Sequence, residues 1–417
     1  MSTHELYVCE GGGAGNLRPL SWTRPVFDLR CGVNSLLDKI IAAYGVRSCY
    51  LGVRPYLAEL AAAGRPLSAV NRLPPAGALV INGRTLWNPA LAAAIPLEGP
   101  EGIYISGRTI IAARLDAGTL ANLDPLQPLS GLPDHLPVME RPAEVITHPW
   151  ELVQKNGPRL LADSRHFGNL GLHEGQVHPA ATLMNRAGIS LGSGAIIGAG
   201  VVLNAEAGPI MIAEGVIIEP NAVLEGPLYI GGRSLVRAGA RLYGGTSIGE
   251  TCKVGGEISH TIIHGHSNKQ HDGFLGHAYL GEWVNLGAGT TNSDLKNDYG
   301  TVKMSISGGE PVDTGEMFAG SIIGDHTKTG IGTLLNTGAV LGVGCNLYGG
   351  GLLPNYVPSF SWGSSGRFTT YRMDKFIAVA ATVMARRDLS MTPAIEKMLR
   401  EVADLTAPER SSYTSTG

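Results

Sequence analysis

The run Lys269-Gln-His-Asp-Gly-Phe-Leu-Gly-His-Ala-Tyr-Leu-Gly-Glu-Trp-Val-Asn-Leu-Gly-Ala-Gly-Thr290 holds the densest set of groups able to do chemistry in this chain. His271 is of the side-chain type best tuned to take a proton from a nucleophile near neutral pH. The glycines at 287 and 289 offer backbone N–H groups of the kind that stabilise an oxyanion. Lys269, Lys296 and Lys303 are candidate phosphate partners by charge and location. Four more histidines, His260, His264, His266 and His277, crowd the same region. Their spacing matches no metal-ligand pattern and brings no matched carboxylates, so the metal ligands stay unknown. The competing reading of His271 is a turn histidine with no chemical duty. Tyr279 and Trp283 read as packing residues at a subunit boundary.

A second candidate lies near the N-terminus. Glu10-Gly-Gly-Gly-Ala-Gly-Asn-Leu-Arg18-Pro-Leu20 follows an apolar run and precedes Thr23-Arg24-Pro25. Glycine-rich loops of this kind wrap phosphates with backbone N–H groups and an arginine.

These residues need a scaffold, and the sequence states one. Every sixth residue from Ile212 is aliphatic: Ile218, Leu224, Ile230, Val236, Leu242, Ile248 and Val254. Four residues after each lies a second register, mostly small: Val216, Ala222, Leu228, Ser234, Ala240, Thr246, Cys252 and Ile258. Leu191, Ile197 and Leu203 precede this stretch; Met317, Ile323, Thr329, Leu335, Leu341, Leu347 and Leu353 continue it. A strict period of six is neither helical nor alternating. It describes a parallel β-helix of triangular coils, one flat strand per hexapeptide, with the aliphatic residue stacked inward. Each such side chain contributes on the order of 1.5–3 kcal/mol by burial. Glycine often follows the aliphatic, at 198, 231 and 249, where a corner is expected to demand an unusual φ/ψ. The period breaks between Val254 and Phe274 and between Leu286 and Met317. Function is expected in loops thrown out of a rigid coil, and both breaks flank the 269–290 run.

Around the coil, residues 1–124 alternate short apolar runs (6–9, 49–53, 78–82, 103–106) with helical stretches (35–44, 55–63), an α/β pattern. Six prolines between Pro125 and Pro149 mark a linker, followed by a short helix around 150–156, so that 125–185 connects the two domains. The coil is assigned to 186–356 and a helical tail to 357–417. In that tail, 371–387 carries Phe376, Ile377, Ala380, Val383 and Met384 on one face. Thr392-Pro393 opens a second helix as N-cap and first residue. Both helices are expected to pack on the coil or on a neighbouring subunit.

Composition narrows the classes further. The chain has 417 residues, 58 of them glycine, and a formal net charge of −3. It has no Lys/Arg run of the kind nucleic acid requires. Five scattered cysteines form no CxxC, which fits a reducing cytoplasm rather than a disulfide framework. The sequence beginning Met1-Ser-Thr-His-Glu lacks the regions of a signal peptide. The longest apolar stretch, 377–385, is far short of a membrane span.

The 269–290 run closely resembles the acetyltransferase domain of the bifunctional UDP-N-acetylglucosamine pyrophosphorylase/glucosamine-1-phosphate N-acetyltransferase family. There a His is followed by Tyr-Ile-Gly and by Val-Asn-Ile-Gly-Ala-Gly. Weaker repeat-level similarity covers roughly 191–353, and the chain resembles a variant branch with a shortened N-terminal domain. The resemblance implies a left-handed coil and a homotrimer. It implies His271 as catalytic base, drawing a proton from an amino-sugar amine as it attacks the thioester of acetyl-CoA or another acyl-CoA. Asn285 falls on the family's amine-contacting Asn. Phe274 stands where the family has Tyr and lacks its hydroxyl. Asn297-Asp298-Tyr299-Gly300 substitutes for the family's Asn-Tyr-Asp-Gly, so Lys269, Phe274, Asn297, Tyr299 and Lys303 are the expected substrate contacts.

The N-terminal loop resembles that of sugar nucleotidyltransferases, which implies nucleotide contacts at Gly11, Gly12, Gly13, Arg18, Arg24 and Asn82. Active members carry Asp after the equivalent strand to hold Mg²⁺. Here the strand ends in Asn82-Gly83-Arg84, and arginine cannot ligate a cation, which leaves either binding without nucleotidyl transfer or the use of another carboxylate such as Asp28 or Asp116. The implied activity is N-acetyl transfer to an amino-sugar phosphate or nucleotide amino sugar, with Mg²⁺- and NTP-dependent nucleotidyl transfer if the first domain is active. The competing readings are a sugar nucleotidyltransferase whose coil is only an oligomeric scaffold, and a non-catalytic nucleotide-sugar-binding protein. No nucleic-acid or membrane partner is implied.

Overall fold

In the computed structural model, which describes residues 4–167, 169–364 and 367–414, the six-residue period closes into a three-faced parallel coil of the build seen in left-handed β-helices. The first face stacks nine short strands, from Ile189–Leu191 to Tyr356–Val357. The second runs from Gln176–Val177 to Asn268–Lys269 and continues through a bridge at Asn285 to Lys328–Thr329, Asn346–Leu347 and Ser361–Ser364. The third begins at Thr182–Met184 and passes through Phe274–Gly276; Thr291–Asn292, Thr333–Leu335 and Gly351–Leu352 follow. In-register pairing superposes Ile212, Ile230, Ile248, Ile263, Leu280, Ile323, Leu341 and Val357 as one interior ladder, all at most 2% exposed. One face of each strand is thereby withdrawn from water, which is why the aliphatic set tolerates no register slip.

The breaks in period have causes the sequence reading missed. After Val254 the interior positions are Ile258, Ile263, Lys269 and Leu275, because one coil is shortened at two corners. Phe274, expected as the next rung, therefore faces outward and Leu275 takes its place. After Asn292 the chain leaves the coil and returns at Ile322–Ile323, with a hairpin of Lys303–Met304 and Val312–Asp313 between. Met317, expected in the ladder, is 44% exposed.

The glycine expectation also needs correction. Gly198, Gly231 and Gly249 have no positive φ; a Cβ there would strike the next coil, 2.9 Å from the Ile218 carbonyl, 2.6 Å from the Glu250 N, and on top of the His264 carbonyl. The left-handed positions lie two residues further on or elsewhere in each coil, at Gly200, Thr251, His260, His266, His277, Trp283 and His326 among others.

The first domain is a seven-stranded sheet in the order Ala69–Val70, Tyr50–Gly52, Glu5–Cys9, Ala78–Asn82, Thr109–Leu115, Gly102–Ser106, Val138–Glu140. Its first four strands are parallel. The proline-rich segment is thus no free linker, since Val138–Glu140 closes the sheet edge beyond the boundary expected at 124. The connecting helix is longer than expected, Pro149–Phe167, and Asn156 fastens it to the coil through the Gly245 carbonyl and the Ser247 hydroxyl. The coil itself begins at Gln176–Val177, ahead of residue 186.

The tail folds back. Met373–Ala385 buries Phe376, Ile377, Ala380 and Met384, and Pro393–Leu405 is capped by Thr392. Met398, Leu399 and Val402 share one apolar cluster with Leu57 and Ala61 of the first domain and with Val343 and Phe360 of the coil. A second shared cluster joins Leu20, Val26 and Leu29 to Trp150 and Val153 and to Ile262, Tyr279 and Ile322 on the outside of the first face. Two continuous apolar seams therefore join the domains. No helix among the described residues is long and apolar enough to cross a membrane.

Truncating a rung by Leu224→Ala is expected to cost about 3 kcal/mol in urea unfolding. Gly249→Ala should lower Tm through its collision with the next coil. Gly64→Ala, whose methyl would meet nothing within 4 Å, should change Tm by no more than about 2 °C.

Candidate functional site

The three long edges of the coil sort the histidines. Along the edge between third and first faces, His260 and His277 stack at 4.7 Å, and His277 continues onto Phe318 at 5.3 Å. Asp294 holds the His277 Nδ1 at 2.8 Å. Along the edge between first and second faces, His266 stacks on Trp283 at 4.4 Å and Trp283 on His326 at 6.0 Å. Burial pushes the His326 imidazole down to about 3, so the ring is neutral at physiological pH. Left-handed corners aim these rings along the coil axis, and successive coils turn them into columns. Trp283 and Tyr279 are packing residues, but within one chain: the Tyr279 hydroxyl accepts from the Arg30 N–H at 2.8 Å and donates to its carbonyl at 3.2 Å.

His271 stands apart, exposed on the third edge, between second and third faces. Its turn is tied to the next coil, where the Gly289 N–H donates to the Asp272 carbonyl at 3.0 Å. The Gly287 N–H donates to the Thr329 carbonyl at 3.1 Å. Both glycine N–H groups are therefore engaged within the coil rather than free for an oxyanion. Asn285 lies one coil on, on the second face, accepting from the Asn268 side chain at 3.1 Å; Arg387 of the tail donates to the same Asn268 at 2.8 Å. Phe274 is half-buried on the third face.

Lys269 departs from expectation. It occupies an interior rung, paired in register with Val254, and is 2% exposed. Its ammonium donates to the His271 carbonyl at 2.5 Å and the Gly255 carbonyl at 3.2 Å. It braces the His271 turn from inside and is not presented to a phosphate. Burial lowers it to about 8, and burial does the same to Lys328. The neighbouring rungs are polar too: Asn292 bonds both backbone groups of Gly276, and Thr290 meets Thr329 at 2.8 Å.

The remaining expected contacts gather elsewhere. Asn297 and Lys303, with Lys296, Asp298, Asn336 and Asn355, line a polar cleft of about 540 Å³ beneath the inserted hairpin. That cleft lies by the edge between third and first faces, so one chain does not bring it together with His271. Tyr299 points away, 66% exposed.

At the glycine-rich loop, Gly12 and Gly13 are exposed, and Gly11 takes a left-handed φ against the Asn82 side chain. The Asn82 amide donates to the Ile110 carbonyl and accepts from the Arg84 N–H. Arg84 runs beneath Gly13 and donates to the Ile146 carbonyl. Glu10, the nearest carboxylate in sequence, is held bidentately by Arg54 at 2.9 and 3.0 Å. These residues do not fit Mg²⁺: a guanidinium lies under the loop and the one carboxylate is already neutralised. Arg18 lies over Trp22, 3.9 Å from its ring centre.

Arg24, expected at a nucleotide, is instead buried against the coil. It pairs with Asp325 and lies 3.7 Å from Glu282, while Thr23 donates to Asp325 at 2.7 Å. Six residues on, Arg30 reaches Glu250 at 3.0 Å. Burial opposes the charge of Glu282, yet Arg24 and His264 outweigh it and hold the carboxyl far below the usual range. The same seam encloses a cavity of about 580 Å³ whose lining includes Asp28, Arg65, Glu250, His264, Glu282 and Met398. Sequence reasoning did not find this cleft. The one available signal was the recurrence of Glu250, Glu282 and Asp325 just before a left-handed corner.

Two outcomes follow. Arg24→Ala strands a buried Asp325 and should destabilise the folded chain by about 3 kcal/mol or more in chemical unfolding. For Lys269 and Lys328, the folded forms lose their protons near pH 8 and the unfolded forms near 10.5. Between these values the unfolded chain holds more lysine protons, so these two groups add stability as pH rises, against the opposite and larger effect of the five buried cysteines, whose thiols stay protonated above about 9 only in the folded chain. With one lysine contribution removed, Lys269→Met should make Tm fall more steeply from pH 8 to pH 10.5 than in the wild type.

Comparison with known proteins gives this geometry its context. Residues 6–169 match the family model described as sugar nucleotidyl transferase. The bifunctional sugar-1-phosphate nucleotidylyltransferase/acetyltransferase of Sulfurisphaera tokodaii is 30% identical over 110 residues, 26% of this chain and 27% of that protein. The bifunctional protein GlmU of Marinobacter nauticus is 34% identical over 118 residues, 27% and 25% of the two chains. That of Ralstonia nicotianae is 25% identical over 221 residues, 48% and 46%. The chain thus spans between a quarter and a half of the length of these relatives. Among solved structures, a UDP-N-acetylglucosamine acyltransferase from Arabidopsis overlaps 55% of this chain and 89% of its own at 13% identity and a TM-score of 0.24. The chain is thus similar over part of its length to GlmU proteins, and its residues 6–169, ahead of the β-helix, match the sugar nucleotidyl transferase family model.

Proposed function

We propose that the protein is an acyl-CoA-dependent N-acyltransferase acting on an amino-sugar phosphate or a nucleotide amino sugar in nucleotide-sugar biosynthesis. The observation that carries this reading is the exposed imidazole of His271 on a coil turn. That turn is braced from inside by Lys269 and tied to the Gly287-Ala288-Gly289 turn one coil on. The amine nitrogen attacks the thioester carbonyl and the C–N bond forms. The C–S bond breaks, and the proton taken by His271 passes to the departing thiolate. Asn285 orients the amine. The single chain leaves His271 without a facing wall, so the reading includes a homotrimer in which a second copy supplies that wall; its polar cleft beneath the hairpin, with Asn297 and Lys303, receives the sugar phosphate.

A second reading, sugar-1-phosphate nucleotidyl transfer, is favoured by the family match over residues 6–169. The absence of a carboxylate for Mg²⁺ at Asn82-Gly83-Arg84 argues instead for a nucleotide-sugar-binding role of that domain.

The test is thiol release from acetyl-CoA against a panel of amino-sugar phosphates, with pyrophosphate release from NTPs scored in parallel and the oligomer measured by light scattering. His271→Ala is expected to lower turnover by about 100-fold or more with Tm unchanged. Undiminished turnover in that variant would remove His271 from the chemistry. Pyrophosphate release without thiol release would transfer the activity to the first domain.

A further inference from the structure

The cleft between the first domain and the coil contains a constellation that the proposed chemistry does not use. Glu250, His266 and Glu282 come from three successive coils at one edge, and their ligand atoms all lie within 4.8 Å of one another. We propose that these three residues bind a divalent metal ion of the zinc class, one per chain.

The donor set is two carboxylates and one imidazole. That combination suits borderline ions such as Zn²⁺ or Co²⁺ better than Ca²⁺ or Mg²⁺, which favour oxygen alone. Hydrogen-bonded coils fix the three backbones, and the His266 ring lies flat on Trp283 at 4.4 Å, so little ordering is left for a ligand to impose.

A second observation comes from the imidazole of His266. The Nδ1 of His266 is buried without a hydrogen-bond partner. The neighbouring His264 is only 9% exposed, and its Nδ1 is paired with Glu282. That nitrogen lies 3.3 Å from a Glu282 oxygen, while its Nε2 lies 3.0 Å from the Asp28 carbonyl. Such a histidine, held on one side by a carbonyl and facing a ligating carboxylate on the other, is the kind of outer partner that orients metal ligands.

Charge agrees. Three carboxylates at this edge, Glu250, Glu282 and Asp325, face two guanidiniums, Arg24 and Arg30, which leaves one negative charge uncompensated. Arg30 takes one oxygen of Glu250 and leaves the other available. The cavity of about 580 Å³ supplies an entry path and room for a further ligand on the ion. The site lies on a different edge of the coil from His271, so it stands or falls independently of the acyl-transfer reading.

The experiment uses the full chain without a polyhistidine tag, stripped with a chelator and dialysed. Zn²⁺ is titrated by calorimetry and Co²⁺ by its visible d–d absorption. One ion per chain is expected, with a Co²⁺ spectrum of low coordination number. Glu250→Gln and His266→Gln should each weaken binding by at least about tenfold, whereas Glu214→Gln, at the same edge but 72% exposed and outside the trio, should leave it unchanged. Glu250→Gln touches no packed ring and keeps the test decisive if His266→Gln fails to fold. No binding by the stripped wild type overturns the proposal. So does binding that survives Glu250→Gln, or that Glu214→Gln weakens equally.

Discussion

The narrowness of the coil interior constrains everything else. Successive coils approach so closely that a methyl at Gly249 would fall on the His264 carbonyl, and the ladder from Ile212 to Val357 leaves no slack for an altered register. A scaffold of this kind fixes every corner residue relative to the same corner one coil away. Side chains placed at recurrent corners therefore become columns, whatever their chemistry: rings in His266, Trp283 and His326, carboxylates in Glu250, Glu282 and Asp325.

Where the interior stops being aliphatic, the surface becomes eventful. Lys269, Asn292, Thr290 and Thr329 occupy or flank rungs in consecutive coils, and each is satisfied by backbone or by another of the set. A buried polar group is tolerated only when so bonded. These groups trade hydrophobic stabilisation for control of local turn shape, most directly where Lys269 holds the carbonyl of His271. The inserted hairpin leaves the coil in the same region, directly after Asn292. Rigidity and irregularity are thereby juxtaposed, which is the arrangement a site needs.

In the first domain, the cations beside the glycine-rich loop carry a structural task. Arg24 and Arg30, six residues apart just past the glycine-rich loop, are drawn to the acidic edge of the coil. Arg84 fills the space under Gly13. The domain retains its sheet and its family likeness while its cations are committed elsewhere, and two apolar seams hold it against coil and tail.

Periodicity made the coil legible, because an interior that accepts one aliphatic residue per strand writes a six-residue repeat directly into the chain. Apolar runs and cap chemistry likewise marked the strands at Glu5–Cys9 and Ala78–Asn82 and the Thr392-capped helix. A fixed period could not reveal a coil shortened at two corners, so Lys269 read as a surface cation and Phe274 as a rung. Nor could sequence spacing show that Arg24 would reach Asp325, about 300 positions away, or that Glu250, His266 and Glu282 would converge. Local hydrophobic pattern dictates which residues turn inward; only the stacking of coils and the docking of the first domain decide which outward-facing groups meet.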